Sequence, residues 1–279
     1  MLYKMKYTNG RGQSITFSRA QGLWISEFSL LSGIPVNLST SQSINQIGAS
    51  VESQVVEPKT STVKGFVQGN GKTLKQQIIN TVIPLDTGKI VVNDEYSIDV
   101  YVEESPIVDL ETRFPRFEFS VTAAYPFWER TTKTSVAMSG LFGMFRFPWN
   151  ITEEYKFGEM VESYFTSINN KGHVPTFYSI EIVANGTTVN PVIADALTGS
   201  FIKLNKTLTA GERINIDAMP DSLKVVSSVD GDIEGLIDIE SDLFSLPVGS
   251  TTLKYDAEEG RANLAVTLKY SDKLAGVVV

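Results

Sequence analysis

The chain has 279 residues, 42% of them apolar and 20% charged, with no cysteine and a single histidine. This length exceeds what one hydrophobic core usually organises and favours two domains. The composition excludes a disulfide framework, a thiolate metal site and a cysteine nucleophile, and one histidine cannot supply a multi-histidine metal centre. The chain contains no run of about 18 uncharged apolar residues, so membrane insertion is not predicted. The polar opening MLYKMKYTNG is unlike a signal peptide.

The first unusual segment runs from Asn37 to Gln54, where 11 of 18 residues are Ser, Thr, Asn or Gln. No Lys or Arg occurs between residues 20 and 58. By composition the segment could be a mobile polar loop. The alternative is a long, weakly alternating β-arm, too polar to be core, that needs a neighbouring strand to pair with. The apolar positions that favour the arm are Ile44, Ile47, Val51, Val55 and Val56.

Residues 65–73, GFVQGNGKT, resemble a phosphate-binding loop. A true loop of this kind has four residues between its first glycine and the Gly-Lys-Thr, whereas five stand here. We therefore expect a strand-to-helix turn in which glycines supply the bend. A short helix is predicted from Lys72 to Ile83, since Leu74, Ile78 and Val82 recur at helical spacing and a proline follows.

Alternation of polar and apolar residues predicts strands at 98–102, 116–122 and 264–270. The run that ends at Phe127 and Trp128 is followed by polar and β-branched residues, so we place a domain boundary there, giving domains 1–129 and 130–279. Both aromatic residues are predicted to be buried, at the end of the N-terminal core or at the junction. Repeated turn pairs indicate an antiparallel sandwich in each half, and the fold class is mainly all-β.

Two turns in the C-terminal half carry specific expectations. Asn185-Gly186 lies between two apolar runs and predicts a β-hairpin. Residues 230–235, DGDIEG, resemble the first half of a calcium loop, but the twelfth position is Ser241 where a bidentate Glu is required. We interpret them as an acidic hairpin turn.

Paired acids occur at 103–104, 153–154 and 258–259, and a glycosidase needs two carboxylates flanking a sugar bond. Adjacent residues of a strand point to opposite faces, so these pairs are interpreted as solvated edge charges. His173 lies in a turn-like stretch without a nearby serine motif and is interpreted as a bystander. No catalytic, metal-binding or cofactor-binding residue is predicted, no cofactor is expected, and the protein is predicted not to be an enzyme.

The two halves of the chain differ in net charge, and the charge balance restricts the classes of partner that the protein can bind. Residues 1–129 carry 11 basic and 13 acidic side chains, and residues 130–279 carry 13 basic and 19 acidic, within a net charge of -8. This balance argues against specific nucleic-acid binding through clustered Lys and Arg. By elimination the chain is a binding or structural protein.

Several stretches in order resemble the distal tail protein family of long-tailed, non-contractile bacteriophages and related prophages. In the N-terminal half they are residues 61–67, 96–104, 117–121 and 126–128. In the C-terminal half they are residues 145–148, 168–176, 190–193, 198–205 and 262–266.

The resemblance implies an N-terminal β-domain that assembles into a six-membered ring at the tail tip. It also implies a galectin-like C-terminal sandwich that docks host-adhesion proteins. The implied protein is a structural virion component, made in the bacterial host cytoplasm, that joins the tail tube protein to receptor-binding proteins and lets DNA pass. A weakly negative N-terminal half is compatible with such a passage, because a lumen that neutralised phosphates would hold DNA.

The alternative is a carbohydrate-binding protein that uses the C-terminal sandwich. It would need exposed aromatic platforms on one sheet face, for which Trp149 and Tyr155 are the candidates. The family's sugar-binding members carry extra insertions, and this chain has no segment long enough to hold one.

Overall fold

The computed structural model describes residues 4–68, 71–109, 115–138, 140–142, 159–161, 164–219 and 222–278. The chain divides into two compact units, Met1–Thr132 with Lys273–Val279, and Lys133–Asp272. Both are built almost entirely of β-strands, which confirms the predicted all-β class. Within the described ranges, no helix is long and apolar enough to cross a membrane.

The first unit contains ten strands before the chain leaves it and one after the chain returns, with a single α-helix among its described residues. They are β1 (Met5–Asn9), β2 (Ser14–Phe17), β3 (Leu23–Glu27), β4 (Val36–Ser41), β5 (Ser50–Val56), β6 (Lys59–Val67), α1 (Gly71–Thr81), β7 (Thr87–Val92), β8 (Tyr96–Val108), β9 (Arg116–Ala123), β10 (Trp128–Arg130) and, after the return, β24 (Lys273–Leu274).

Nine of these strands form one antiparallel sheet in the order β2-β1-β7-β8-β9-β6-β3, with β10 attached to β8 and β24 attached to β10. Alternate residues of the strands enter one hydrophobic core, so the period-two patterns do bury one face of the sheet. The core also takes Ile78 of α1 and Val82, the residue that follows the helix, as the helical spacing predicts. Because α1 is only 11 residues long, this burial is what stabilises it.

Gly65 does not lie in a turn, contrary to the prediction for the glycine-rich segment. It sits inside β6, where an added Cβ would lie 2.0 Å from the Trp24 carbonyl oxygen and 2.4 Å from a ring carbon of Phe117. Glycine is therefore required for close packing of β6 against its neighbours, and the strand continues to Val67. Gly69 and Asn70 lie outside the described residues.

The second unit consists mainly of strands. They are β11 (Thr134–Ala137), β12 (Gly140–Phe142), β13 (Glu159–Val161), β14 (Phe165–Asn170), β15 (Tyr178–Ala184), β16 (Thr188–Asp195), β17 (Phe201–Lys203), β18 (Thr207–Leu208), β19 (Arg213–Met219), β20 (Ser222–Ser227), β21 (Gly231–Asp232), β22 (Gly249–Glu259) and β23 (Leu264–Tyr270).

Two antiparallel sheets of the second unit share one buried cluster. One sheet has the order β11-β23-β15-β19-β20-β21, and the other has the order β14-β22-β16-β17 with β18 beside β16. Inward residues of both sheets, such as Ile180 of β15 and Leu253 of β22, belong to the same core, which makes the unit a β-sandwich.

The predicted hairpin at Asn185-Gly186 is wrong. β15 pairs with β19 and β23, whereas β16 pairs with β17, β18 and β22, so the turn carries the chain from one sheet to the other. A two-residue hairpin of type I′ needs positive φ at both central residues, and neither Asn185 nor Gly186 has it. Left-handed backbone occurs instead at Asn93 and Asp94, which turn the chain between the paired strands β7 and β8.

In each unit, the strand next to the first passage of the chain between the units pairs with the strand next to the second passage. In the first unit Trp128 and Glu129 pair with Leu274 and Lys273, and in the second Thr134 pairs with Tyr270. The chain therefore leaves and re-enters each unit on adjacent antiparallel strands. The division into domains 1–129 and 130–279 stays a prediction about parts that fold alone.

Candidate assembly surface

The polar segment predicted as an arm or a loop is a β-hairpin. β4 and β5 form a separate two-stranded sheet, and every residue of both strands is exposed. The β-arm interpretation is therefore the correct one. We call the hairpin of residues 36–56 the arm.

The two faces of the arm differ in polarity. Val36 pairs with Val56 across the strands, and Leu38 lies two residues further along, so these side chains share one face. Val51 continues that face opposite Thr40. Leu38 is 53% exposed and Val51 is 59% exposed. An isolated two-stranded hairpin has no second layer against which such side chains could be buried.

The arm also has one charged residue and two open edges. A register shift between Ser39 and Thr40 leaves Glu52 without a direct cross-strand partner, as in a β-bulge. Each strand pairs only with the other among the described residues, so their outer backbone N–H and C=O groups are available to another chain. The surface is suited to binding protein, and it has no arrangement of catalytic groups.

The base of the arm is held firmly by the rest of the first unit. The Glu57 amide donates to the Pro35 carbonyl at 3.0 Å, which closes the hairpin. Lys59 Nζ donates to the carbonyls of Ser29 and Ser32, and burial lowers the pKa of Lys59. Backbone carbonyls that would be costly to bury alone are thus satisfied by a charged donor.

The C-terminal segment of the chain completes this base. The Val277 amide donates to the Leu31 carbonyl at 2.8 Å, and the indole Nε1 of Trp128 donates to the Leu30 carbonyl at 3.0 Å. Gly276 packs closely on Leu31 and Ser32. The sequence patterns did not indicate that residues 273–278 return to the N-terminal unit, because the segment is short and its partners lie far away in sequence.

Trp128 and Phe127 are buried as predicted, at 0% and 7% exposure. The ring of Trp128 also packs edge to face against the ring of Phe28, with 6.5 Å between the ring centroids. Beside them, Lys273 forms an ion pair with Glu129, and burial lowers the pKa of Lys273 to about 8, against an opposing contribution from Asp99. This charged pair joins β24 to β10.

The calcium-like segment is an acidic hairpin turn, as interpreted from its sequence. Strand β20 pairs with β21 around it, and Gly231 adopts a φ of 75°. The Asp230 carboxylate lies 2.6 Å from Lys206 Nζ, and Asp232 accepts the Glu234 amide at 3.1 Å. Lys206 also pairs with the buried Glu212, so these acids are engaged in local structure.

The remaining predicted positions are dispersed. Glu103 and Glu104 are exposed and accept hydrogen bonds from Thr122 and Ser120. Glu258 pairs with Lys203 at 2.9 Å, and that hydrogen bond lowers the pKa of Glu258.

His173 is exposed in the turn after β14. Residues 145–148, 153 and 154, and the aromatic candidates Trp149 and Tyr155, lie outside the described residues. In the part of the chain that the structure describes, no three His, Asp or Glu side chains cluster as metal ligands.

The family comparison concerns the second unit. Residues 171–273 match the family model described as the C-terminal domain of a siphovirus-type tail component. No curated protein matches the chain in sequence.

Solved structures match over the whole length. The crystal structure of the Dit protein of phage SPP1, described as a paradigm of the hub adsorption apparatus in phages of Gram-positive bacteria, is similar with a TM-score of 0.68 at 14% identity, over 98% of this chain and 99% of that one. The phage p2 baseplate in its calcium-activated conformation is similar with a TM-score of 0.54 at 14% identity, over 99% of this chain and 100% of that one. Its strontium-activated form gives 0.53 at 13%, with 99% and 100% covered.

The second unit thus carries a phage tail-component domain over residues 171–273, and the whole chain has the fold of the SPP1 Dit protein. The predicted resemblance to the distal tail proteins of the tail-tip hub is confirmed. At these identities the structural likeness establishes the fold.

Proposed function

We propose that the protein is a structural component of the phage tail tip that assembles through its first unit into a ring, with six copies expected. The observation that carries the proposal is the exposed arm: an ordered hairpin with an apolar face and two unpaired edges, held rigidly at its base. A second copy of the chain can cover that face and pair those edges.

The wider role is part of the same proposal and is supported by the likeness to phage tail proteins. The ring would join the tail tube protein to the receptor-binding proteins of the virion and leave a passage for DNA. The second unit, which carries the tail-component domain, would face those adhesion partners as a galectin-like module. The proposed role needs no catalytic residue and no cofactor.

Light scattering on the purified chain across a wide concentration range tests the proposal. We expect a concentration-dependent ring, because arms that close a ring act together and are weak in dilute solution. Replacement of residues 38–53 by a short Gly/Ser linker should leave a folded monomer. A wild-type chain that remains monomeric, or an arm-replaced chain that still forms rings, would contradict the proposal.

A further inference from the structure

We infer that the arm of one copy docks in a groove on the first unit of the next copy, lined by Trp24, Phe66 and Arg116. This inference rests on the proposed function and names the receiving surface, which neither the fold match nor the sequence patterns identify. The groove, hereafter the aromatic groove, has a volume of about 370 Å³, and Val67 and Gln68 complete its lining.

The lining residues form a row across three strands at one end of the sheet. Trp24 of β3 lies opposite Phe66 of β6, and Phe66 lies opposite Arg116 of β9. Both aromatic rings are partly exposed, and β3 pairs only with β6 among the described residues, so the row runs up to an open strand edge. Trp and Arg are the residues most enriched at the energetic centres of protein interfaces.

Two arginine side chains lie against the aromatic rings of the groove. The Arg19 guanidinium lies 4.7 Å from the Trp24 ring centroid, and the Arg116 guanidinium lies 5.6 Å from that of Phe66. Neither arginine has a carboxylate partner within the described residues. The Trp24 indole N–H is also buried without an acceptor there. An occupant with apolar side chains and a carboxylate fits this chemistry.

The arm has that chemistry. It presents the apolar side chains of Val36, Leu38, Val51 and Val56, and its charged residue is the acidic Glu52. Glu52 has no ion-pair partner within the described residues, which makes it complementary to the two unpaired arginines.

The arm that fills the groove must come from another copy. All residues of β4 and β5 are exposed in the single chain, and none of them lines the aromatic groove. The arm leaves its own sheet next to Lys59, the first residue of β6, whereas Phe66 lies near the other end of that strand. At about 3.3 Å per residue, the seven residues of β5 extend roughly 23 Å, enough to reach a neighbouring subunit.

A charge exchange in the full-length chain tests the inference. Glu52→Arg and Arg116→Glu should each weaken assembly about tenfold or more in light scattering, and the double variant should restore it, since the same pair of charges then meets with the signs reversed. Arg11→Glu, at an exposed turn of the same unit, is the matched control and should assemble as the wild type does.

A crosslink provides a second measurement that does not depend on charge. Because the chain has no cysteine, Ser53→Cys with Gln68→Cys introduces one thiol on the arm and one on the groove. Oxidation should give a ladder of covalent oligomers beyond the dimer on a non-reducing gel, whereas each single variant can give no more than dimers.

The outcomes separate this inference from the proposed function. Wild-type rings that need the arm but tolerate Arg116→Glu, with no ladder, would overturn the aromatic groove and leave the ring proposal standing. Loss of assembly in Arg116→Glu without rescue by Glu52→Arg, and without a ladder, would show that the groove receives something other than the arm. A wild-type chain that never assembles would overturn both.

Discussion

Several single residues of the first unit have structural roles that their neighbours in the sequence do not indicate. Gly65 looks like part of a glycine-rich turn, yet it allows two strands and the Phe117 ring to approach closely. Lys59 and Lys273 look like ordinary surface lysines, yet the first holds the base of the arm and the second is buried beside Glu129. Each of these roles depends on a neighbour that is distant in sequence.

Gly65→Ala should destabilise the first unit by about 1–3 kcal/mol or more, because the added methyl group meets the backbone oxygen of Trp24, which cannot move without shifting β3. Chemical denaturation measures the change. Gly235→Ala is the control: an added Cβ there has no neighbour within 4 Å, and we expect a change within about 0.5 kcal/mol. Equal effects of the two substitutions would contradict the packing role of Gly65.

Lys273 should make stability depend on pH in the alkaline range. Its pKa is about 8 in the folded chain and about 10.5 when unfolded, so between these values the unfolded state binds more protons. Below pH 8 Lys273 is charged in the folded chain, and the cost of burying that charge lowers the free energy of unfolding by its full amount. This cost is lost as pH rises to about 10.5, so the free energy of unfolding increases over that window.

The measurement is the free energy of unfolding of the wild type minus that of Lys273→Met, taken from pH 7 to 10.5. We expect this difference to increase with pH. The control is Lys224→Met, at an exposed position, for which the corresponding difference should not change with pH. A difference that decreases with pH would mean that the ion pair with Glu129 outweighs the effect of burial.

At the scale of elements, the arm and the C-terminal segment belong together. The carbonyls of residues 29–32 accept hydrogen bonds from Lys59, Trp128 and Val277, so the direction in which the arm leaves the unit is set by three separate parts of the chain. One of these parts is the last segment of the chain, and the arm base is incomplete without it.

Deletion of residues 273–279 should therefore destabilise the first unit by at least about 2 kcal/mol, from the lost burial of Val277 and the lost backbone hydrogen bonds. Denaturation and limited proteolysis of residues 28–35 both report the change. Deletion of residues 278 and 279 alone is the control, because Val278 is 98% exposed. If the longer deletion behaved like the control, the segment would not hold the arm base.

At the scale of the whole molecule, each unit has its own core and its own closing strand pair. We propose that residues 133–272 form a domain inserted into the first unit, since Thr134 pairs with Tyr270 and the unit's ends lie side by side. This proposal places the boundaries at residues 133 and 272, whereas the sequence predicts a single division at residue 129.

The expected result is that residues 133–272, expressed alone, fold cooperatively and remain monomeric. Residues 1–132 joined by a short Gly/Ser linker to residues 273–279 should fold and retain assembly. Circular dichroism melts and light scattering on the two proteins check this. A second unit that is unfolded alone, or that assembles alone, would contradict the proposal.

The sequence by itself determined the all-β class, the helix near residue 72 and the burial of Phe127 and Trp128, and it narrowed the polar segment to a loop or an arm. These features follow from local periodicity, turn chemistry and composition, which act over a few residues. The tertiary structure alone decided that Asn185-Gly186 joins two sheets, that Gly65 lies inside a strand, that residues 273–278 return to the first unit, and that Trp24, Phe66 and Arg116 form one row. Strand partners are chosen by packing between residues far apart in the chain, and a period-two pattern specifies which face is buried without specifying which strand lies beside it.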